Sequence, residues 1–96
     1  VEERAAGRPV PPPLRERALN ELAYQLWKLD NRLPGALRVF RANGRLHPSS
    51  WIAQGSLGEA LEAAGERAAA ADAYRRALAL RPGDRELAAR LAALLQ

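Results

Sequence analysis

An all-α stack of helical hairpins is the fold this sequence predicts, on three observations. Ala36, Phe40 and Pro48 return as Ala70, Tyr74 and Pro82, a small, aromatic, proline series repeated one 34-residue period later. The 48% hydrophobic content is carried mostly by Ala and Leu, with only 5% aromatics, and Ala, Leu, Arg and Glu are good helix formers. Apolar residues recur at i, i+3, i+4, i+7 between punctuating Pro and Gly residues, the spacing of one helical face. A period of this length marks units that can bury their apolar faces only against a neighbour. The expected architecture is an α-helical hairpin solenoid of two hairpins plus a C-terminal capping helix.

Residues 1–13 read as a linker. Val10-Pro11-Pro12-Pro13 cannot be helical, because consecutive prolines lack donors and favour polyproline II. Such a spacer is semi-rigid, at about 3 Å per residue. The chain opens on Val1 and contains no Met, so it is expected to be a processed or excised part of a longer protein. Residues 14–96 form the helical domain, with a first repeat over about 14–48, a second over about 49–82 and a closing helix over 84–95.

In the first repeat, Leu19, Leu22, Ala23 and Leu26 share one helix face, and Asp30-Asn31 with Pro34-Gly35 ends that helix. A second helix carries Ala36, Leu37, Val39, Phe40 and Leu46 and stops before Pro48. Ser49 or Ser50 can cap the third helix, whose buried stripe is Leu57, Gly58 and Leu61. Gly65 supplies the left-handed residue a helix C-terminus prefers. A fourth helix from about Arg67 to Leu80 turns Ala70, Tyr74, Ala77 and Leu78 inward. Pro82-Gly83-Asp84 is a stop followed by a cap, and Arg85 to Leu95 places Leu87, Leu91, Leu94 and Leu95 on one broad face.

Leu57-Gly58, Leu61, Ala70, Tyr74, Ala77 and Pro82 resemble the tetratricopeptide repeat signature. In that reading Gly58 and Ala70 let the paired helices approach closely, Tyr74 fills the seam, and Pro82 sets the turn into the next unit. Leu22, Ala23, Leu26, Ala36, Phe40 and Pro48 fill the same places in the first repeat, with Asn43 where a small Ala is usual. Leu22 and Leu57 are 35 residues apart while Ala36 and Ala70 are 34 apart. One extra residue is therefore expected in the first hairpin's turn, within Asp30 to Pro34. Ala88, Leu91, Ala92 and Leu95 fit the first helix of a third repeat. Phe40, Asn43, Pro48, Ser50 and Ser56-Leu57-Gly58-Glu59-Ala60 are also similar to the repeat pair at the C-terminus of serine-hydrolase-type enzymes of the β-lactamase-like and esterase groups. Gln54-Gly55 departs from the aromatic and Asp usual there.

The tetratricopeptide resemblance implies a concave face lined by the first helix of each hairpin. It would present Arg17, Asn20, Tyr24, Trp27 and Lys28, then Ile52, Gly55, Glu59 and Glu62, then Glu86, Ala89 and Ala93. That mixed patch is expected to hold a protein or peptide partner, with Tyr24 and Trp27 as amphipathic anchors. The alternative for Trp27 is packing within the stack, and Trp51 reads as a staple at the hairpin junction. The family's carboxylate clamp does not carry over, since Asn20, Tyr24 and Glu59 occupy its places. An apolar edge around Leu14, Leu19 and Leu33 is expected to dock a second copy of the chain, giving a homodimer, or an upstream domain of the parent protein. An accessory, dimerising or positioning domain of a larger hydrolase is the competing reading.

Other classes find less support. The net charge is +4, and basic surfaces can bind phosphate, but Glu59, Glu62, Glu66, Asp72, Asp84 and Glu86 are interleaved through the helices, so nucleic acid is the minor alternative. Arg38, Arg41 and Arg45 make a basic stripe on the second helix, read first as a solvated face and second as a contact for phosphate or an acidic partner. His47, the only His, reads as a turn residue beside Pro48, and Ser49, Ser50 and Ser56 as capping and packing residues. No paired His, phosphate loop or metal-ligand set stands in the sequence, so no catalysis and no cofactor are expected of this chain. No apolar run of about 18 residues is present to span a membrane, and the absence of Cys excludes disulfides and thiolate zinc sites.

Overall fold

The computed structural model describes residues 14–96; the proline-rich stretch 1–13 lies outside them. Helix α1 (Glu16–Tyr24) runs on directly into a π-helical stretch (Gln25–Leu29), followed by α2 (Leu33–Leu46), α3 (Trp51–Ala63), α4 (Arg67–Leu80) and α5 (Arg85–Leu94). The described residues contain no strand, and the fold is all-α. Each helix packs on the next in chain order, and α1 also touches α3. The result is two helical hairpins followed by a single closing helix.

The helix ends follow from local chemistry. Ser50, rather than Ser49, caps α3: its Oγ accepts the Ala53 N–H at 3.1 Å. Asp84 caps α5, its Oδ1 accepting the Leu87 N–H at 3.0 Å. At the end of α3, Gly65 has φ +82°. The Gly65 N–H reaches the Glu62 carbonyl at 3.0 Å and the Glu66 N–H reaches Leu61 at 2.9 Å. These are the paired bonds of a Schellman motif, in which the left-handed residue allows the orphan carbonyls to be satisfied.

The first hairpin also turns at a left-handed residue, Asn31, whose φ is 54°, with the Arg32 N–H on the Leu26 carbonyl six residues back at 2.7 Å. Asn31 and Gly65 are 34 residues apart, so the two hairpins are already in step at this turn. The extra residue of the first repeat is therefore not in the turn between Asp30 and Pro34, where spacing alone had placed it. It lies inside the helix, absorbed by Gln25–Leu29, where the Asp30 N–H bonds the Gln25 carbonyl five residues back at 3.0 Å. A single added residue in a helix is accommodated as a π-turn.

One continuous core runs through both hairpins. It holds Ala23, Ala36, Leu37, Phe40, Leu57, Ala60, Leu61, Ala70, Ala71, Ala73, Tyr74, Ala77, Leu87 and Leu94. The many Ala residues let the helix axes approach, and Phe40 and Tyr74, both fully buried, fill the seams between them. A Cβ built on Gly58 would lie 2.7 Å from Tyr74 Cε1, so only glycine fits that crossing. This is the role the sequence assigned to Gly58, Ala70 and Tyr74.

Exposure departs from expectation at the two ends of the stack. Leu19 is buried, not part of an exposed apolar edge, although Leu14 is 40% exposed and Leu33 is half-buried. Leu22 is 45% exposed, while Leu57 at the same repeat position is buried between neighbouring helices. Leu95 is likewise exposed and Leu91 half-buried, so the inward face of α5 narrows to Leu87 and Leu94. Apolar repeat positions close only where a helix stands on both sides of them.

Three polar residues are buried in the joints. Asn43 is fully buried and its Nδ2 donates to the Glu16 carbonyl at 3.1 Å, which is why a larger residue replaces Ala there. His47 is buried, with Nε2 at 2.8 Å from the Leu14 carbonyl; it fastens the start of the domain to the end of α2 and is more than a turn residue. Gln54 bridges three helices, its Nε2 donating to the Gly44 carbonyl at 3.2 Å and its Oε1 accepting from Arg76 Nε at 2.9 Å. Burying His47 and Gln54 is tolerable because their bonds satisfy them, whereas Asn43 is satisfied only through Nδ2 and its Oδ1 is buried without a hydrogen-bond partner.

Candidate binding face

The face begins with α1 and its π-helical continuation. Tyr24 packs edge-on against Phe40 with centroids 5.0 Å apart, and Trp27 stacks near-parallel on Tyr24 at 5.9 Å. Trp27 also meets Phe40 edge-on at 6.2 Å, and Lys28 Nζ sits 3.9 Å above the Trp27 ring. Trp27 therefore packs within the stack and remains half-exposed at the surface. Before the π-turn, Trp27 corresponds by repeat register to Glu62; after it, Lys28 does. The inserted residue gives one position on the face to two side chains.

Helix α3 supplies the carboxylates. Glu59 accepts a short hydrogen bond from the Tyr24 hydroxyl, and the Ser56 hydroxyl lies 3.3 Å from the same phenol oxygen. Glu62 accepts from the Tyr74 hydroxyl at 3.0 Å. Glu59 and Glu62 are thus engaged and half-buried, not simply solubilising residues on an open helix. Burial pushes the Tyr24 phenol up to about 12, reinforced by its bond to Glu59. Burial likewise pushes Tyr74 up to about 12, with the neighbouring Arg90 pulling the other way.

Arg90 of α5 closes the arrangement. Its guanidinium lies 3.4 Å from Glu59, 3.8 Å from Glu62 and 3.3 Å from Glu86, and it donates to the Tyr74 hydroxyl at 3.4 Å. One cation thereby ties side chains from α3, α4 and α5 into one cluster, which Tyr24 of α1 joins through Glu59. At 37% exposure each ion pair alone adds little stability; the effect is to fix where four elements present their polar groups.

Two adjoining concavities flank this cluster. The first, about 160 Å³, is walled by Tyr24, Trp51, Ile52, Gly55, Ser56, Glu59, Tyr74, Asp84, Glu86, Leu87 and Arg90. The second, about 310 Å³, is walled by Trp27, Lys28, Glu59, Glu62, Ala63 and Arg90. The structure therefore brings Tyr24, Trp27, Lys28, Ile52, Glu59, Glu62 and Glu86 to one face, as the repeat register expects. Arg17 is exposed on α1 and Asn20 half-buried, and neither lines either concavity. Trp51 is both staple and wall, with Arg81 stacked 4.3 Å over its ring.

Arg90, Tyr74 and Ser56 were missed as face residues. Arg90 is the 34-residue counterpart of Ser56, so the face is one position broader than the register taken from Ile52, Gly55 and Glu59. Its spacing from Glu86, one helical turn, was the available signal. No protein-family model matches the chain, and no curated protein matches its sequence.

Proposed function

We propose that this chain is a tetratricopeptide-like interaction module that holds a peptide or partner domain on the Tyr24–Glu59–Arg90 face, with no catalysis of its own. The convergence of side chains from all three segments of the molecule on one pair of adjoining concavities carries this reading. Tyr24, Trp27 and Lys28 come from the first hairpin, Ile52, Glu59 and Glu62 from the second, and Glu86 and Arg90 from the closing helix. Half-exposed aromatics beside fixed polar groups are the usual ingredients of a protein-binding surface. The same 34-residue spacing that aligns Asn31 with Gly65 supports the repeat reading.

The test is selection of peptides from a displayed random library on the whole chain, followed by rebinding to an Ile52→Ala/Trp27→Ala double variant. Tyr24 is left intact, because it both packs on Phe40 and holds Glu59; Trp27 also meets Phe40, so unchanged helicity of the double variant is part of the test. Enriched peptides that lose at least about tenfold in affinity on the double variant, at unchanged helicity, support the face. An empty selection, or peptides indifferent to both substitutions, contradicts it.

A further inference from the structure

The opposite side of α3 carries a second groove that the reading above does not use. It has a volume of about 400 Å³ and lies between α2 and α4, with Leu57 and Leu61 of α3 in its floor and Pro48 and Ala69 along its sides. Arg41 and Arg45 stand on the α2 wall and Arg76 on the α4 wall, while Gly44 contributes no side chain.

The charges there are unbalanced. Asp72, the one carboxylate lining the groove, is taken by Arg75 at 2.9 Å. Arg41 is 3.6 Å from Glu66. Arg45 has no ion-pair partner among the described residues. Arg76 spends only its Nε, on the buried Gln54 amide at 2.9 Å, so its two terminal nitrogens remain available. Gln54 is 3% exposed and is itself anchored to the Gly44 carbonyl, which steadies the stem of that guanidinium against the groove wall.

We propose that this groove receives an acidic amphipathic segment of a partner protein, its carboxylates on Arg45 and Arg76 and an aliphatic side chain over Leu57 and Leu61. Guanidinium groups pair with carboxylates in a planar, two-bond geometry, and the apolar floor between the arginines suits a side chain placed between two acidic ones. Single-stranded nucleic acid fits less well, because sequence-tolerant binding of that kind relies on aromatic rings for base stacking and no aromatic lines the groove. This inference does not depend on the Tyr24–Glu59–Arg90 face.

The test is fluorescence anisotropy of the whole chain with a short labelled peptide alternating Glu and Leu. The matched peptide with Gln in place of Glu and a labelled oligothymidylate serve as competing probes. The acidic peptide is expected to bind at least about tenfold more tightly than its Gln counterpart, weakening as salt rises. Arg45→Glu, at an exposed helix position, should abolish that preference at unchanged circular dichroism, and Arg45→Lys should keep part of it. The Ile52→Ala/Trp27→Ala variant should bind as the native chain does. Equal binding of both peptides, indifference to Arg45→Glu, or an oligothymidylate that binds more tightly than the acidic peptide would each overturn the proposal.

Discussion

The two hairpins answer the same packing problem with different residues. At the crossing of α3 and α4, Gly58 lies under the Tyr74 ring. At the corresponding crossing of α1 and α2, Ala23 is fully buried and the seam is filled by Phe40, which carries no hydroxyl. The second hairpin gains a polar tip on its seam residue, which reaches Glu62 and Arg90. The first gains its polar tip one helix earlier, through Tyr24 on Glu59. Gly58 thus leaves room for a tyrosine ring inside the second hairpin, while in the first the tyrosine stands on α1 and bridges to the next hairpin.

The largest expected effect tests the seam. Tyr74→Ala should cost about 3–5 kcal/mol, the loss for a fully buried aromatic, read from chemical denaturation. A neutral result would mean that Tyr74 is not the seam residue. Gly58→Ala should cost about 1–3 kcal/mol, since the new methyl would meet the Tyr74 ring at 2.7 Å. Ala70→Leu should overpack the same crossing by a similar amount. The comparison fails if Gly58→Ala stabilises the chain, as helix propensity alone would have it.

Smaller differences are expected at the two left-handed stops. Gly65→Ala should cost about 1 kcal/mol, because a Cβ is disfavoured at positive φ. Asn31→Gly should instead stabilise by a few tenths of a kcal/mol or be neutral. Opposite signs in thermal melts would confirm that both positions serve one role; equal signs would break the correspondence.

The last effect shows only at alkaline pH. Both Tyr24 and Tyr74 have phenols raised from 10.0 to about 12, so the folded chain holds their protons more tightly than the unfolded chain. Their contribution is fully present below about pH 10 and is lost as pH rises toward 12. The melting temperature should fall across that window, and Tyr74→Phe should make the fall shallower. A melting temperature that is flat from pH 10 to 12 would contradict the burial of both hydroxyls.

Much of this was legible in the sequence because repeat positions are steric positions. Ala36, Phe40, Ala70, Tyr74, Ala77 and Gly58 are each set by how closely two helices approach, and a 34-residue spacing exposes them. The π-turn was not legible: spacing shows that one residue has been added between Leu22 and Ala36, and only the backbone bond from Asp30 to Gln25 shows where. Exposure at the ends misled for a related reason, since Leu22 and Leu95 carry the repeat pattern but lack the second neighbour that would bury them. Glu86, one turn away, was the local signal for Arg90, but its partner Glu59 and the Leu14 carbonyl that holds His47 lie 31 and 33 residues away, where no local pattern reaches. Gln54 stood out only as a departure from the repeat pair the sequence resembles, whereas its amide joins α2, α3 and α4.

The central claim is that both hairpins and the closing helix build one binding face. The most direct measurement is amide chemical-shift mapping of the whole chain titrated with a peptide obtained by selection. The account predicts shifts concentrated in Tyr24–Lys28, Ile52–Glu62 and Glu86–Arg90, all moving with a single saturation curve. Shifts confined to one hairpin, or scattered with no contribution from Glu86–Arg90, would contradict it.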